Sequence, residues 1–347
     1  MNDHIVIYHR KAVQTDIAFR AGETKLGEHL CFLEPGESLL DLKSYAQKGI
    51  RFALLGIPES IGVEANLGKC CTDNAWPVFL HFFLNIQSNR FLKGNNILCL
   101  GHIDTLDLNN AAASLDRVGP DKIQQMRALC SRLDDRVSPV IEKIVSSSLI
   151  PVIIGGGHNN AYPIIKGTAR ALAAAKGINC INCDPHADFR PLEGRHSGNS
   201  FSYAVQEGYL SRYFVFGLHE NYNPESVLEA IEQNKHVAYS CFEPHADLSA
   251  QINNAVDFFR NSNQPVGIEI DLDSIADMPT SAVTPSGLSV DDARFFIRQI
   301  ASRLQAAYLH LPEGAPISGS RDEAKIGKTL AYLVTDFIIS CSKKSAG

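Results

Sequence analysis

Long apolar runs are missing from this chain. The most extended, such as LIPVII at 149–154, fall far short of the roughly 18 residues that a membrane-spanning helix requires, so no membrane partner is expected. Clusters of lysine and arginine are missing too. Thirty-two basic against 38 acidic residues leave a formal charge of −6, which argues against nucleic acid or an anionic membrane as partner. The opening segment, MNDHIVIYHRK, lacks the apolar core of a signal peptide, and a cytoplasmic location is expected. A disulfide framework is not suggested either, because nine cysteines are an odd number and lie scattered, as reduced thiols do. Cys180 and Cys183 have CxxC spacing. Positions three apart on a strand point to opposite faces, however, and no second pair exists to complete a zinc site, so core packing is the better account.

What is present is ordinary globular usage, 45 % hydrophobic and 20 % charged in 347 residues, enough to bury a large core. Short apolar runs alternate with longer amphipathic stretches, the pattern of a parallel sheet covered by helices. Strands are expected at 51–56, 97–101, 150–154, 178–183, 213–217, 266–272 and 306–311. Residues 121–147 read as a helix that Pro139 divides, and 160–176 as a helix capped by Asn159 or Asn160. Ser289 with Asp292 reads as a capping box opening the helix 290–303, and 322–342 carries a buried stripe. The fold class is therefore α/β, with three α/β/α layers and a mainly parallel central sheet. One domain is expected over 46–347, preceded by an N-terminal extension over 1–45.

Three of the expected strands end in acid or imidazole side chains. In open parallel sheets ligands bind at the carboxyl ends of strands, where loops converge. The first end, IPVIIGGGHNN, turns tightly through Gly155, Gly156 and Gly157 before presenting His158. The triplet lacks the lysine and the spacing of a nucleotide loop. The second end, INCINCDPHADFR, places Asp184, His186 and Asp188 on one face if the backbone stays extended. The third, VGIEIDLDSIAD, does the same for Asp271 and Asp273. Singly, a histidine or a loop aspartate is more often structural than functional. Together, four carboxylates at the tops of neighbouring strands repel one another, and cations remove that repulsion. Two divalent ions and a bridging hydroxide would leave the centre at −1, suited to a small cationic substrate. Carboxylate ligands with a little imidazole favour manganese over zinc, and paired ions generate a nucleophilic water at neutral pH.

These residues resemble the arginase, agmatinase and formimidoylglutamase family, whose motifs stand here as GGGH (155–158), DPHAD (184–188) and DLD (271–273). The similarity covers about residues 50–342, with LLGIP at 54–58, TPSGL at 284–288 and LPEGAP at 311–316 in family order. The resemblance implies an arginase-like fold, a homo-oligomer and two Mn2+ per chain. One ion would be held by His158, Asp184, Asp188 and Asp271, the other by Asp184, His186, Asp271 and Asp273. It further implies that the hydroxide attacks an amidine or guanidine carbon, that His196 returns the proton to the leaving amine, and that Glu313 pairs with the substrate's cationic end. Two departures stand out. Gly157 replaces an aspartate common before the first ligand histidine, and SIADMP follows Asp273 in place of the usual continuation.

Within the family, the Phe189-Arg190 pair after the metal segment resembles formimidoylglutamases, and Arg190 suits a substrate carboxylate. Arg195 is a second such cation, and Asn199 and His219 are further candidate substrate-binding residues. N-formimidoyl-L-glutamate, with two carboxylates and a formimidoyl cation, fits these residues, with glutamate and formamide as products in histidine breakdown. A ureohydrolase acting on arginine, agmatine or a guanidino acid is the sister reading. A mononuclear zinc deacetylase or a non-catalytic metal-binding relative are readings from other classes.

Overall fold

The computed structural model describes residues 4–69, 71–115 and 121–344. Among them nine strands form one sheet. They are β1 (Ile5–Ile7), β2 (Phe52–Gly56), β3 (Ile97–Ile103), β4 (Ile150–Ile154), β5 (Ile178–Cys183), β6 (Leu210–Leu218), β7 (Val237–Cys241), β8 (Val266–Ile270) and β9 (Ala306–Leu311). Across the sheet the order is β1-β3-β2-β4-β9-β8-β5-β6-β7, and the pairings are parallel apart from β1 with β3. All seven strands expected from the sequence are there. The two that were passed over, β1 and β7, are the edges. Their residues are partly exposed, so they carry no continuous apolar run.

Alternate strand residues feed two apolar cores. Leu54, Ile154, Ile181, Cys183, Ile268 and Leu309 enter one; Ala53, Leu55, Ile153, Cys180, Val215 and Tyr308 enter the other. Cys180 and Cys183 thus face opposite ways, as strand alternation demands. Helices Ala75–Leu84, Val290–Arg303 and Arg321–Lys344 cover the first face, and Lys122–Ser146 with Ala161–Ala171 the second. Each fully buried leucine, isoleucine or phenylalanine in these layers contributes about 1.5–3 kcal/mol, which is what holds a mainly parallel sheet and its helices together. The Ser289 box forms: its Oγ accepts from the Asp292 N–H at 3.0 Å, and Asp292 Oδ2 accepts from the Ser289 N–H at 3.0 Å.

Pro139 does not divide its helix, which runs unbroken over Lys122–Ser146. The proline is exposed, as is Asp135, so the carbonyl freed by the missing N–H is open to water. Residues 4–45, set apart in the sequence reading as an extension, contribute β1 and bury Val13, Leu26, Leu30 and Phe32 against the first core.

The topology places the site. From β4 the chain lays β5, β6 and β7 outward, then returns with β8 and β9 to fill the gap. In consequence β4, β9, β8 and β5 are neighbours, and the loops leaving them open at one carboxyl edge.

Candidate metal centre

His158 leaves β4 through a turn that only glycine suits. Gly155 and Gly156 adopt φ of +84° and +73°, in the left-handed region that other residues reach with strain. A Cβ on Gly156 would sit 2.5 Å from Asn160 Nδ2 and 2.7 Å from Glu59 Oε1. Glu59 explains the crowding. It is wholly buried and accepts from the Gly157 N–H at 2.8 Å, the Gly62 N–H at 3.2 Å, Asn160 Nδ2 at 2.6 Å and Asn159 Nδ2 at 3.3 Å. Asn159 and Asn160 therefore hold Glu59 instead of capping the following helix, and no side-chain cap forms there.

The two acidic segments are turns, not strand continuations. β5 stops at Cys183 and β8 at Ile270, because each aspartate folds the chain onto its own carboxylate. Asp184 Oδ1 accepts from the His186 N–H at 2.7 Å, and Asp271 Oδ1 from the Asp273 N–H at 2.8 Å. Leu272–Ser274 is then one 3-10 turn, and Asp188 takes φ of +47°. The shared face expected from strand alternation is produced by these turns.

Three carboxylate oxygens surround His158 Nδ1: Asp271 Oδ2 at 2.9 Å, Asp188 Oδ2 at 3.0 Å and Asp184 Oδ2 at 3.1 Å. The four ligand atoms lie within 4.8 Å of one another. Nδ1 is buried and has no hydrogen-bond partner, and an orphaned imidazole nitrogen facing carboxylates suits a metal ligand. The donor set, one imidazole with three carboxylates, fits a hard divalent ion. The second expected set is more open. His186 Nδ1 is 3.4 Å from Asp184 Oδ1 and 3.8 Å from Asp273 Oδ2.

The charges confirm the crowding. Burial, then repulsion from Asp273 and Asp184, drives the Asp271 carboxyl well above its usual range. Burial also raises Asp188, and raises Asp273 to about 6. For Asp184 burial works upward, yet the His158 and His186 imidazoles beside it win and lower it. Both imidazoles resist the downward pull of burial because of those carboxylates. His158 is raised well above its normal value by Asp184, Asp188 and Asp271, and His186 rises to about 10 beside Asp184.

A cavity of about 260 Å³ opens above. His186, Asp188, Arg190, Asp271, Asp273 and Glu313 line it, together with Asn66 and Tyr222. Glu313 has φ of +68°; its Oε1 accepts from the His158 N–H at 2.7 Å and its Oε2 from the Ser281 hydroxyl. Burial, then the Asp273 charge, lifts it to about 8. Arg190 is the one lysine or arginine among the described lining residues. Its Cδ and Nε lie 3.0 and 3.2 Å from where a Cβ on Gly198 would stand.

Other sequence candidates are not brought into this cavity. His196 Nδ1 accepts from the Gly198 N–H at 3.1 Å and its Nε2 is 3.2 Å from Glu193 Oε1, so both nitrogens are engaged outside the lining. Asn199 is buried, its Oδ1 accepting from Arg195 at 2.7 Å and its amide donating to the Gly194 carbonyl at 2.8 Å. Arg195, suggested for a substrate carboxylate, is 3 % exposed. It is a clamp: Nε donates to Asp134 at 2.8 Å and Nη2 to the Asn159 carbonyl at 2.7 Å, between the rings of Tyr162 and Tyr203. His219 stacks on Tyr222, with ring centroids 5.6 Å apart. Sequence reasoning passed over Glu59 and a buried acid, Glu269. Glu269 could have been noticed as a charge inside an otherwise apolar strand, two positions before Asp271.

Comparison with known proteins agrees with this geometry. The model of the arginase family matches residues 90–337. A curated formimidoylglutamase of Streptococcus pyogenes is 25 % identical over 290 residues, covering 80 % of each chain. Among solved structures, the formimidoylglutamase of Bacillus subtilis superposes with a TM-score of 0.73 at 17 % identity, covering 94 % of this chain and 95 % of that one. A Trypanosoma cruzi formiminoglutamase with Mn2+ gives 0.67 at 17 %, covering 92 % and 98 %.

Proposed function

This chain belongs to the arginase family and is a hydrolase of the amidine and guanidine class, and we propose that it is a binuclear manganese enzyme releasing formamide from N-formimidoyl-L-glutamate. The observation that carries the reading is the partnerless Nδ1 of His158 facing Asp184, Asp188 and Asp271 under a small cavity. His158, Asp184, Asp188 and Asp271 would hold one ion, and Asp184, His186, Asp271 and Asp273 the other. When bound, the ions lower the pKa of a shared water and supply the nucleophile.

The chain's own groups orient the substrate. Glu313, fixed by the His158 N–H and Ser281 and lining the cavity, would face the cationic amidine end. Arg190, exposed where it lines the same cavity, would meet a carboxylate of the substrate, and no carboxylate among the described residues pairs with it. A molecule with an amidinium at one end and carboxylates at the other matches this polarity. Agmatine, without a carboxylate, does not. Cytoplasmic location, assembly into a homo-oligomer and a role in histidine breakdown belong to the same proposal, and the free thiols of the described cysteines support a reducing compartment.

The test is an assay of the Mn2+-reconstituted chain on N-formimidoyl-L-glutamate, arginine, agmatine and guanidino acids, with formamide, urea and ammonia measured separately. Formamide from the first substrate alone is the expected result. Urea from a guanidine, or no product from any, would overturn it.

A further inference from the structure

Below the ligand cluster lies a charged network that the proposed reaction does not use. Glu269 sits on β8 two residues before Asp271, and β9 pairs it in register with His310. Glu269, His310 and Tyr308 are all 0 % exposed. Glu269 Oε1 accepts the Tyr308 hydroxyl at 2.7 Å, and Oε2 lies 2.6 Å from His310 Nδ1 and 3.6 Å from His158 Nε2. Gly267 makes room for this stack, since a Cβ there would stand 2.3 Å from the Tyr308 ring.

An ionised carboxylate in a dry interior costs several kcal/mol before pairing, and an apolar side chain would fill the same space. Its position gives it a purpose. A neutral imidazole has one N–H and one lone pair. His158 turns Nδ1 to Asp184, Asp188 and Asp271, and its Nε2, buried without a hydrogen-bond partner, has Glu269 Oε2 3.6 Å away as the nearest acid on its far side. Without an acceptor behind the ring, the three carboxylates in front would draw the proton to Nδ1, where it would compete with a cation. An acceptor on the far side of the ring removes that competition.

We propose that Glu269, held from β9 by Tyr308 and His310, is the positioning residue of the metal centre, keeping the His158 proton on Nε2 and its Nδ1 lone pair toward Asp184, Asp188 and Asp271. The inference rests on the reading of those four residues as metal ligands.

The full chain, stripped by a chelator, is titrated with Mn2+ alone, and the free ion is followed by its electron paramagnetic resonance signal. Glu269→Gln is expected to weaken one class of bound Mn2+ by about 10–100-fold, the usual effect of losing such a partner, and to leave the other class nearly as tight. Equal affinity in variant and wild type overturns this inference alone. A wild-type chain that binds no Mn2+ overturns both it and the reading beneath. Because replacing a buried acid can unfold the chain, the wild type supplies a second measurement. In protein labelled with 15N-histidine and loaded with diamagnetic Zn2+, the His158 ring, identified by its loss in His158→Asn, should carry metal on Nδ1 and a proton on Nε2. Metal on Nε2 with a proton on Nδ1 contradicts the proposal.

Discussion

At the scale of single residues, the cavity divides its work by charge. Arg190 is proposed to read a substrate carboxylate, and a hydrogen bond to a charged group contributes about 1.5–3 kcal/mol. Arg190→Ala should therefore raise KM for N-formimidoyl-L-glutamate by about 10–100-fold with a smaller change in kcat, read from steady-state kinetics. An unchanged KM would remove Arg190 from recognition. His196 offers the opposite case. A general acid that returns the proton is worth about 10²–10⁴-fold in rate, but both its nitrogens are occupied by Gly198 and Glu193. In this geometry His196→Gln should keep kcat within about tenfold of wild type, well short of the loss expected of a proton shuttle. A fall of a thousandfold would instead restore the shuttle role and require the loop to move.

At the scale of elements, the site depends on turns held by buried charges. Arg195 ties the loop after the metal segment to the helix Lys122–Ser146 through Asp134 and to the His158 turn through the Asn159 carbonyl. Removing one partner of a buried pair costs about 3–5 kcal/mol. Arg195→Met should lower the unfolding free energy by that amount in urea titration, and adding Asp134→Asn should recover part of it. The same elements show what a sequence can and cannot reveal. Strands β2 to β6, β8 and β9 were legible because burial on both faces leaves continuous apolar runs, and β1 and β7 were not because edge strands keep mixed exposure. The candidate ligand residues stood out as polar groups at strand ends. How they meet was not, since extended backbone was expected where Asp184 and Asp271 bend the chain onto their own carboxylates. Nor does any local pattern tell that Arg195 and Asn199 turn inward while Arg190, a few residues before them, faces the cavity.

At the scale of the whole molecule, stability and metal binding are linked through protons. Asp273 and Glu313 move from ordinary values of 3.8 and 4.5 to about 6 and about 8 when folded, and His186 moves from 6.5 to about 10. Groups raised on folding bind protons more tightly in the folded state, so their contribution is complete at low pH and is lost as pH climbs through the folded values. Asp184 and Glu269, lowered on folding, act the other way, but only at acid pH. The metal-free chain should thus melt at falling temperature from about pH 4 to about pH 10, and saturating Mn2+ should flatten or reverse that slope by displacing the protons. The same trend with and without metal would detach the cluster from any ion. The most direct measurement of the central claim is the metal content of the purified, Mn2+-loaded chain by equilibrium dialysis with elemental analysis. Two ions per chain, dropping steeply in Asp184→Asn and Asp271→Asn, are expected. No tightly held ion, or a stoichiometry untouched by those substitutions, would contradict it.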